Sequence, residues 1–144
     1  MCSTSFAQTY NWQQVAARTE AQKRGPGLQA GEGWQQITRL RYAPSDPTIV
    51  YMGVDTNQVW KSLDSGSTWA RAAGSFFAMG VTDLGIHPTN PNLVLATGMR
   101  DKTGQTGSVD GIYRTTNGGT LWTKVTSANF TKEQRGDCFI FSGS

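Results

Sequence analysis

The stretch Ser62-Leu63-Asp64-Ser65-Gly66-Ser67-Thr68-Trp69 constrains the fold more than any other, because it returns in altered form as Thr115-Thr116-Asn117-Gly118-Gly119-Thr120-Leu121-Trp122. In each copy a hydroxyl residue (Ser62, Thr115) is followed by Asp64 or Asn117, then by Gly66 or Gly119, and finally by Trp69 or Trp122. An Asp or Asn that opens a turn accepts hydrogen bonds from the N–H groups after it, and a Gly adopts the positive φ that reverses the chain. Set between apolar positions, this spacing predicts a tight hairpin. Val59 and Trp60 bring one strand in, and Trp69 takes the next out to the core. The segment is a folding device before it is anything else.

A device used twice announces a repeat, and the flanking residues bear this out. Thr38, Leu40 and Tyr42 alternate along one predicted strand, and Thr82, Leu84 and Ile86 do so 44 residues later. Each strand runs into a proline turn, Ala43-Pro44-Ser45-Asp46-Pro47 and His87-Pro88-Thr89-Asn90-Pro91, where the missing N–H groups predict that the chain leaves the sheet. Apolar runs follow, Ile49-Val50-Tyr51-Met52 and Leu93-Val94-Leu95-Ala96, suited to strands buried on both faces. Then come Gln58–Lys61 and Gly111–Arg114 before the turn motifs, and Trp69–Ala72 and Trp122–Val125 after them. Each unit therefore carries four strand signals in a fixed order. Asp64 and Asn117 are 53 positions apart; the extra length falls in a polar, Gly-rich insert at Met99–Asp110, the kind of loop that carries binding function.

Composition agrees with many short strands joined by turns: 17 Gly, 5 Pro and 5 Trp in 144 residues, with 16% charged. No apolar run approaches the ~18 residues of a membrane helix. The net charge of +3 is mild and its basic residues are scattered, so the concentrated basic face of a nucleic-acid binder is absent. Cys2 and Cys138 show no metal-ligand spacing, no cofactor motif occurs, and whether the two thiols pair is open.

The turn motifs resemble the Asp-box, or BNR repeat, written S/T-x-D-x-G-x-T-W. Ser62, Asp64, Gly66, Thr68 and Trp69 match it at every defined position; in the second copy Asn117 replaces Asp and Leu121 replaces Thr. Asp-boxes are found in sialidases, sortilin-like receptors, xyloglucanase-type glycoside hydrolases and photosystem-assembly propellers, so the resemblance implies a β-propeller of four-stranded blades. The expected fold class is all-β, a propeller fragment of about two complete blades with partial flanking strands. Residues 1–8 resemble the remnant of a bacterial secretory signal, which implies export. Residues 9–33 hold a strand led by Trp12 and a polar loop, 34–72 the first blade, 73–125 the second, and 126–144 the start of another, with Cys138–Phe141 as its opening strand. Closed propellers use about four to eight blades, so the remainder is expected in a longer parent chain.

The same resemblance nominates one catalytic residue. Tyr51-Met52-Gly53-Val54-Asp55-Thr56-Asn57-Gln58-Val59-Trp60-Lys61 is similar to the Tyr-x-x-Thr-Asp-x-Gly-Gly-x-Tyr-Arg segment of xyloglucanase-type hydrolases, whose Asp is the catalytic base. The carry-over falls on Asp55, with Asn57 and Gln58 standing where that segment has glycines. Read from the residues alone, Asp55 is a solvated residue at a strand end. An inverting hydrolase also needs a second carboxylate about 6.5–9.5 Å away. Sialidases carry an Arg-Ile-Pro motif, and Arg39-Leu40-Arg41 lacks its Pro. Asp64 and Asn117 read as turn-formers, and the lone His87 as structural. Trp69 and Trp122 read as core, whereas Trp34, at a Gly-flanked loop end, is a candidate for stacking on a sugar ring. Two functions follow: a secreted binding or scaffold propeller of the sortilin-like sort, with a protein or polysaccharide ligand, or part of an inverting glycoside hydrolase.

Overall fold

The computed structural model describes residues 36–56, 58–99, 110–125 and Phe139. These form two antiparallel four-stranded sheets, each in simple up-and-down order. The first holds β1 (Ile37–Ala43), β2 (Asp46–Val54), β3 (Gln58–Ser62) and β4 (Ala70–Arg71); the second holds β5 (Gly80–Ile86), β6 (Val94–Met99), β7 (Gly111–Thr115) and β8 (Thr123–Lys124). The registers correspond: Val50 faces Ser62 as Val94 faces Thr115, and Met52 faces Trp60 as Ala96 faces Tyr113. The expected strand at Cys138–Phe141 lies outside the described residues except for Phe139, which packs against Gly85 of β5.

One expectation is corrected. The chain does not leave the sheet across all of Pro44–Pro47; it turns over Pro44 and Ser45, and Pro47 already belongs to β2. Pro47 is accommodated because the pairing is irregular there, between Ala43↔Asp46 and Tyr42↔Val50, so no ladder donor is required of it. Asp46 stiffens the turn by accepting from the N–H and hydroxyl of Thr48 at 3.0 and 2.6 Å.

The core lies between the two sheets. β2 is buried on both faces from Val50 to Val54, and the residues extending this layer include Tyr51, Val59, Phe76, Leu84, Tyr113 and Trp122. Val81 fills the space over Gly53, where a Cβ would lie 2.8 Å from Val81 Cγ1, and the Thr38 hydroxyl bridges the sheets at 2.6 Å from Val81 O. A smaller cluster gathers Met52, Val54 and Trp60 with half-buried Trp69. Equivalent strands therefore have unequal surroundings. Leu84 is 1% exposed because the first sheet covers β5, whereas its counterpart Leu40 on β1 is 46% exposed.

Candidate functional site

The two turn motifs sit at one end of the sheets. The Ser62 hydroxyl donates to Asp64 Oδ1 at 2.7 Å and accepts from the N–H groups of Asp64 and Gly66. Asp64 then accepts from the N–H of Thr68 at 2.7 Å and its hydroxyl at 2.6 Å. These donors, the Thr68 hydroxyl foremost, hold the Asp64 carboxyl down to about 2. Thr115 and Asn117 reproduce the pattern: the Thr115 hydroxyl donates to Asn117 Oδ1 at 2.9 Å, Gly119 N–H donates to Thr115 Oγ1 at 3.0 Å, and Leu121 N–H donates to Asn117 Oδ1 at 2.9 Å. Asn117 needs only its amide oxygen for this, which is why Asn serves in place of Asp. Both residues hold the backbone of their own turn.

The Trp residues differ in depth. Trp122 is 2% exposed and its indole N–H donates to Ala72 O at 2.8 Å, in the segment joining the sheets. Trp69 is half-buried and its indole N–H closes back on Gly66 O at 2.9 Å, inside its own turn. Trp122 has the Ala72–Ala78 segment laid over it, whereas Trp69 packs against its own sheet through Met52, Val54 and Trp60.

Asp55 is at the opposite end, just beyond β2, where β1 and β5 begin. Its backbone and side chain both engage Gln36: Asp55 N–H donates to Gln36 O at 3.0 Å, and Gln36 N–H donates to Asp55 Oδ1 at 3.0 Å. Thr56 adds a weak donor to the same oxygen at 3.4 Å. Oδ2 receives no hydrogen bond among the described residues, so half of the carboxylate remains an acceptor. The side chain is therefore oriented yet available, the arrangement a general base requires.

Beside it lies Gln58, which the sequence marked only as standing where the similar segment has a glycine. Gln58 has φ of 62°, in the left-handed region, where a side chain is strained. Its amide nitrogen donates to Phe76 O at 2.6 Å and Ala78 O at 2.9 Å, its amide oxygen accepts from Arg71, and its own N–H donates to Met79 O at 3.1 Å. The signal was present: Gly111 stands at the same repeat position, with φ of 150°.

The structure brings Asp55 and Gln58 together at one end and the turn motifs at the other. Trp34, Asn57, most of the Met99–Asp110 insert, Cys2 and Cys138 lie outside the described residues. Arg39 and Arg41 of β1 both turn to the buried Asp83, at 2.8 and 3.8 Å. Among the described residues no group of three or more His, Cys, Asp or Glu could hold a metal ion. No helix among them is long and apolar enough to cross a membrane.

No protein-family model matches the chain, and no curated protein matches it. Solved structures do. An ancestral GH74 enzyme is similar over 65% of this chain and 10% of its own, with 22% identity and a TM-score of 0.53. The GH74 enzyme of Niastella koreensis is similar over 63% of this chain and 14% of its own, with 22% identity and a TM-score of 0.51. The GH74 xyloglucanase of Xanthomonas campestris is similar over 71% and 17%, with 16% identity and a TM-score of 0.50. The chain thus spans between a tenth and a sixth of the length of these proteins, and the likeness is one of fold: an all-β chain of four-stranded propeller blades.

Proposed function

We propose that this chain is the glycan-facing part of a polysaccharide-hydrolysing propeller protein, with Asp55 as the general base that activates water at the anomeric carbon. The observation that carries the reading is the Asp55 carboxylate, fixed through Oδ1 by Gln36 N–H and, among the described residues, without a hydrogen bond at Oδ2. Its support is threefold: the position at the sheet end where β5 begins and β6 ends, the local similarity to the xyloglucanase segment, and the shared fold with GH74 enzymes. The matching acid is to be supplied by the remainder of the parent polypeptide, since an inverting mechanism places it across the sugar at about 6.5–9.5 Å. This reading goes with export, because such polymers are met outside the cell.

A second reading has an observation of its own. The Gln36–Asp55 pair of hydrogen bonds closes β1 onto the β2–β3 turn, a structural task that accounts for the carboxylate without catalysis. On that reading the propeller is a non-catalytic binding or scaffold module for a protein or glycan partner. Xyloglucan digestion by the complete polypeptide and its Asp55→Asn form separates the two. The hydrolase reading expects turnover to fall by about 10²–10⁴ with the melting temperature kept. No cleavage by the parent, or equal cleavage by the variant, leaves the scaffold reading alone.

A further inference from the structure

Val54 and Gln58 form the last pair of the β2–β3 ladder, so the chain passes between the strands in three residues, of which Asp55 is the first. A connection this short takes its shape from the residues that close it, and a left-handed residue at the closing position is its usual requirement. Gln58 is that residue, with φ of 62°. Glycine meets such a demand at least cost, and glycine stands at the same repeat position in the second sheet, as Gly111. What glutamine adds is an amide bonded at both ends: its nitrogen donates to Phe76 O at 2.6 Å and Ala78 O at 2.9 Å, and its oxygen accepts from Arg71 of β4. Gln58 N–H donates to Met79 O at 3.1 Å as well. One strained residue is thereby tied to the segment that leads into β5. Strained backbone persists where its surroundings over-determine it, and it gathers at functional sites.

We infer that Gln58 is a positioning residue for Asp55, acting through the turn the two residues share. The inference rests on the reading of Asp55 as a general base. The two legs of the turn are held by different neighbours. Gln36 immediately precedes β1, so its two hydrogen bonds locate Asp55 within the first sheet. Gln58 locates the other leg against residues 76–79, the entry to the second sheet. Only with both is the turn registered against both sheets. A base that must meet a water on a polymer crossing from blade to blade needs that registration, because a misplacement of about 1 Å costs on the order of 10²-fold in rate. A glycine at this position would supply the backbone conformation and lose the registration.

The test compares the complete polypeptide with its Gln58→Gly, Gln58→Glu and Asp55→Asn forms, by xyloglucan turnover and by amide hydrogen exchange. Gln58→Gly removes the amide and relieves the strain; Gln58→Glu keeps the reach, but its carboxylate has no hydrogens for the Phe76 and Ala78 carbonyls. Both are expected to lower kcat about 10-fold with KM within about 2-fold, because the base is displaced while the contacts to substrate stay. In both, Asp55 N–H should exchange about 10-fold faster while the amides in the middle of β2 keep their rates. Unchanged exchange at Asp55 overturns the positioning role. Exchange that rises equally along β2 overturns it as well, since Gln58 would then serve the fold at large. Full turnover by Gln58→Gly beside an inactive Asp55→Asn overturns it and leaves the general-base reading intact. If the parent cleaves nothing, or Asp55→Asn cleaves as the parent does, the general-base reading falls and the positioning role falls with it.

Discussion

Arg39 and Asp83 occupy the same position in successive repeats, and the guanidinium Nε of the first meets the carboxylate Oδ1 of the second at 2.8 Å. Asp83 is fully buried, and among the described residues Oδ2 has no hydrogen-bond partner, so the carboxylate depends on Arg39 and the more distant Arg41. One residue of the repeat has taken opposite charges in neighbouring blades and become a tie between them. Arg39→Ala is expected to cost about 3 kcal/mol, because removing the partner of a buried charge leaves it uncompensated. Arg41→Ala, at 3.8 Å from a more exposed position, is expected to cost less than about 1 kcal/mol. Thermal denaturation of both checks this. The double variant Arg39→Met/Asp83→Leu should regain most of the loss; a double variant weaker than Arg39→Ala would show that the pair is not the source of the cost.

The turn glycines provide a second contrast. Gly66 and Gly119 both have positive φ, 93° and 91°. A Cβ on Gly66 would meet only Trp69 Cζ2, at 3.5 Å, whereas a Cβ on Gly119 would lie 2.7 Å from both Ala72 Cβ and Ala72 O. Gly66→Ala therefore incurs the conformational cost alone, about 1–2 kcal/mol. Gly119→Ala adds a backbone clash between blades, making it worse by at least about 1 kcal/mol. Equal melting temperatures for the two variants would contradict this account.

What the sequence disclosed and what it did not divide along chain separation. The hydrogen bonds of Ser62, Asp64 and Thr68 span two to four residues, so a local pattern suffices to foresee them. The Gln58 clamp reaches 18 and 20 residues away, and Trp122 reaches Ala72 across 50, distances over which spacing conveys no geometry. Leu40 and Leu84 show the same limit. Their patterns are alike, and only the position of a neighbouring sheet decides that one is exposed and the other buried. At the candidate site the sequence singled out Asp55 through its neighbours, but its bond to Gln36 and the reach of Gln58 to Phe76 and Ala78 were not foreseeable.

The exposed face of β1 has a consequence for the 144-residue chain in isolation. Ile37, Leu40 and Tyr42 are all exposed large hydrophobics on one strand. Such a surface favours association. Sedimentation of the isolated chain should show concentration-dependent association, and Leu40→Asp with Tyr42→Lys should reduce it without lowering the melting temperature. A monomer at all concentrations would show that this face does not associate.

The replacement of Asp by Asn in the second turn makes the two hairpins respond differently to acid. Asp64 has its pKa lowered from 3.8 to about 2 by Thr68 and Ser62, so its contribution to stability is complete above about pH 4. It is lost progressively as pH falls from about 4 through 2, because protonation in the folded state removes the acceptor that Thr68 uses. Asn117 does not titrate, and its bond from Leu121 N–H persists at 2.9 Å across the same range. Amide resonances followed from pH 5 to pH 2 are therefore expected to move at Thr68 and stay fixed at Leu121. Asp64→Asn should abolish the movement at Thr68 while leaving the hairpin formed, since Asn117 shows that an amide oxygen fills the same place. If the Thr68 resonance still titrates in Asp64→Asn, another group is responsible and the assignment of the acid response to this carboxylate fails.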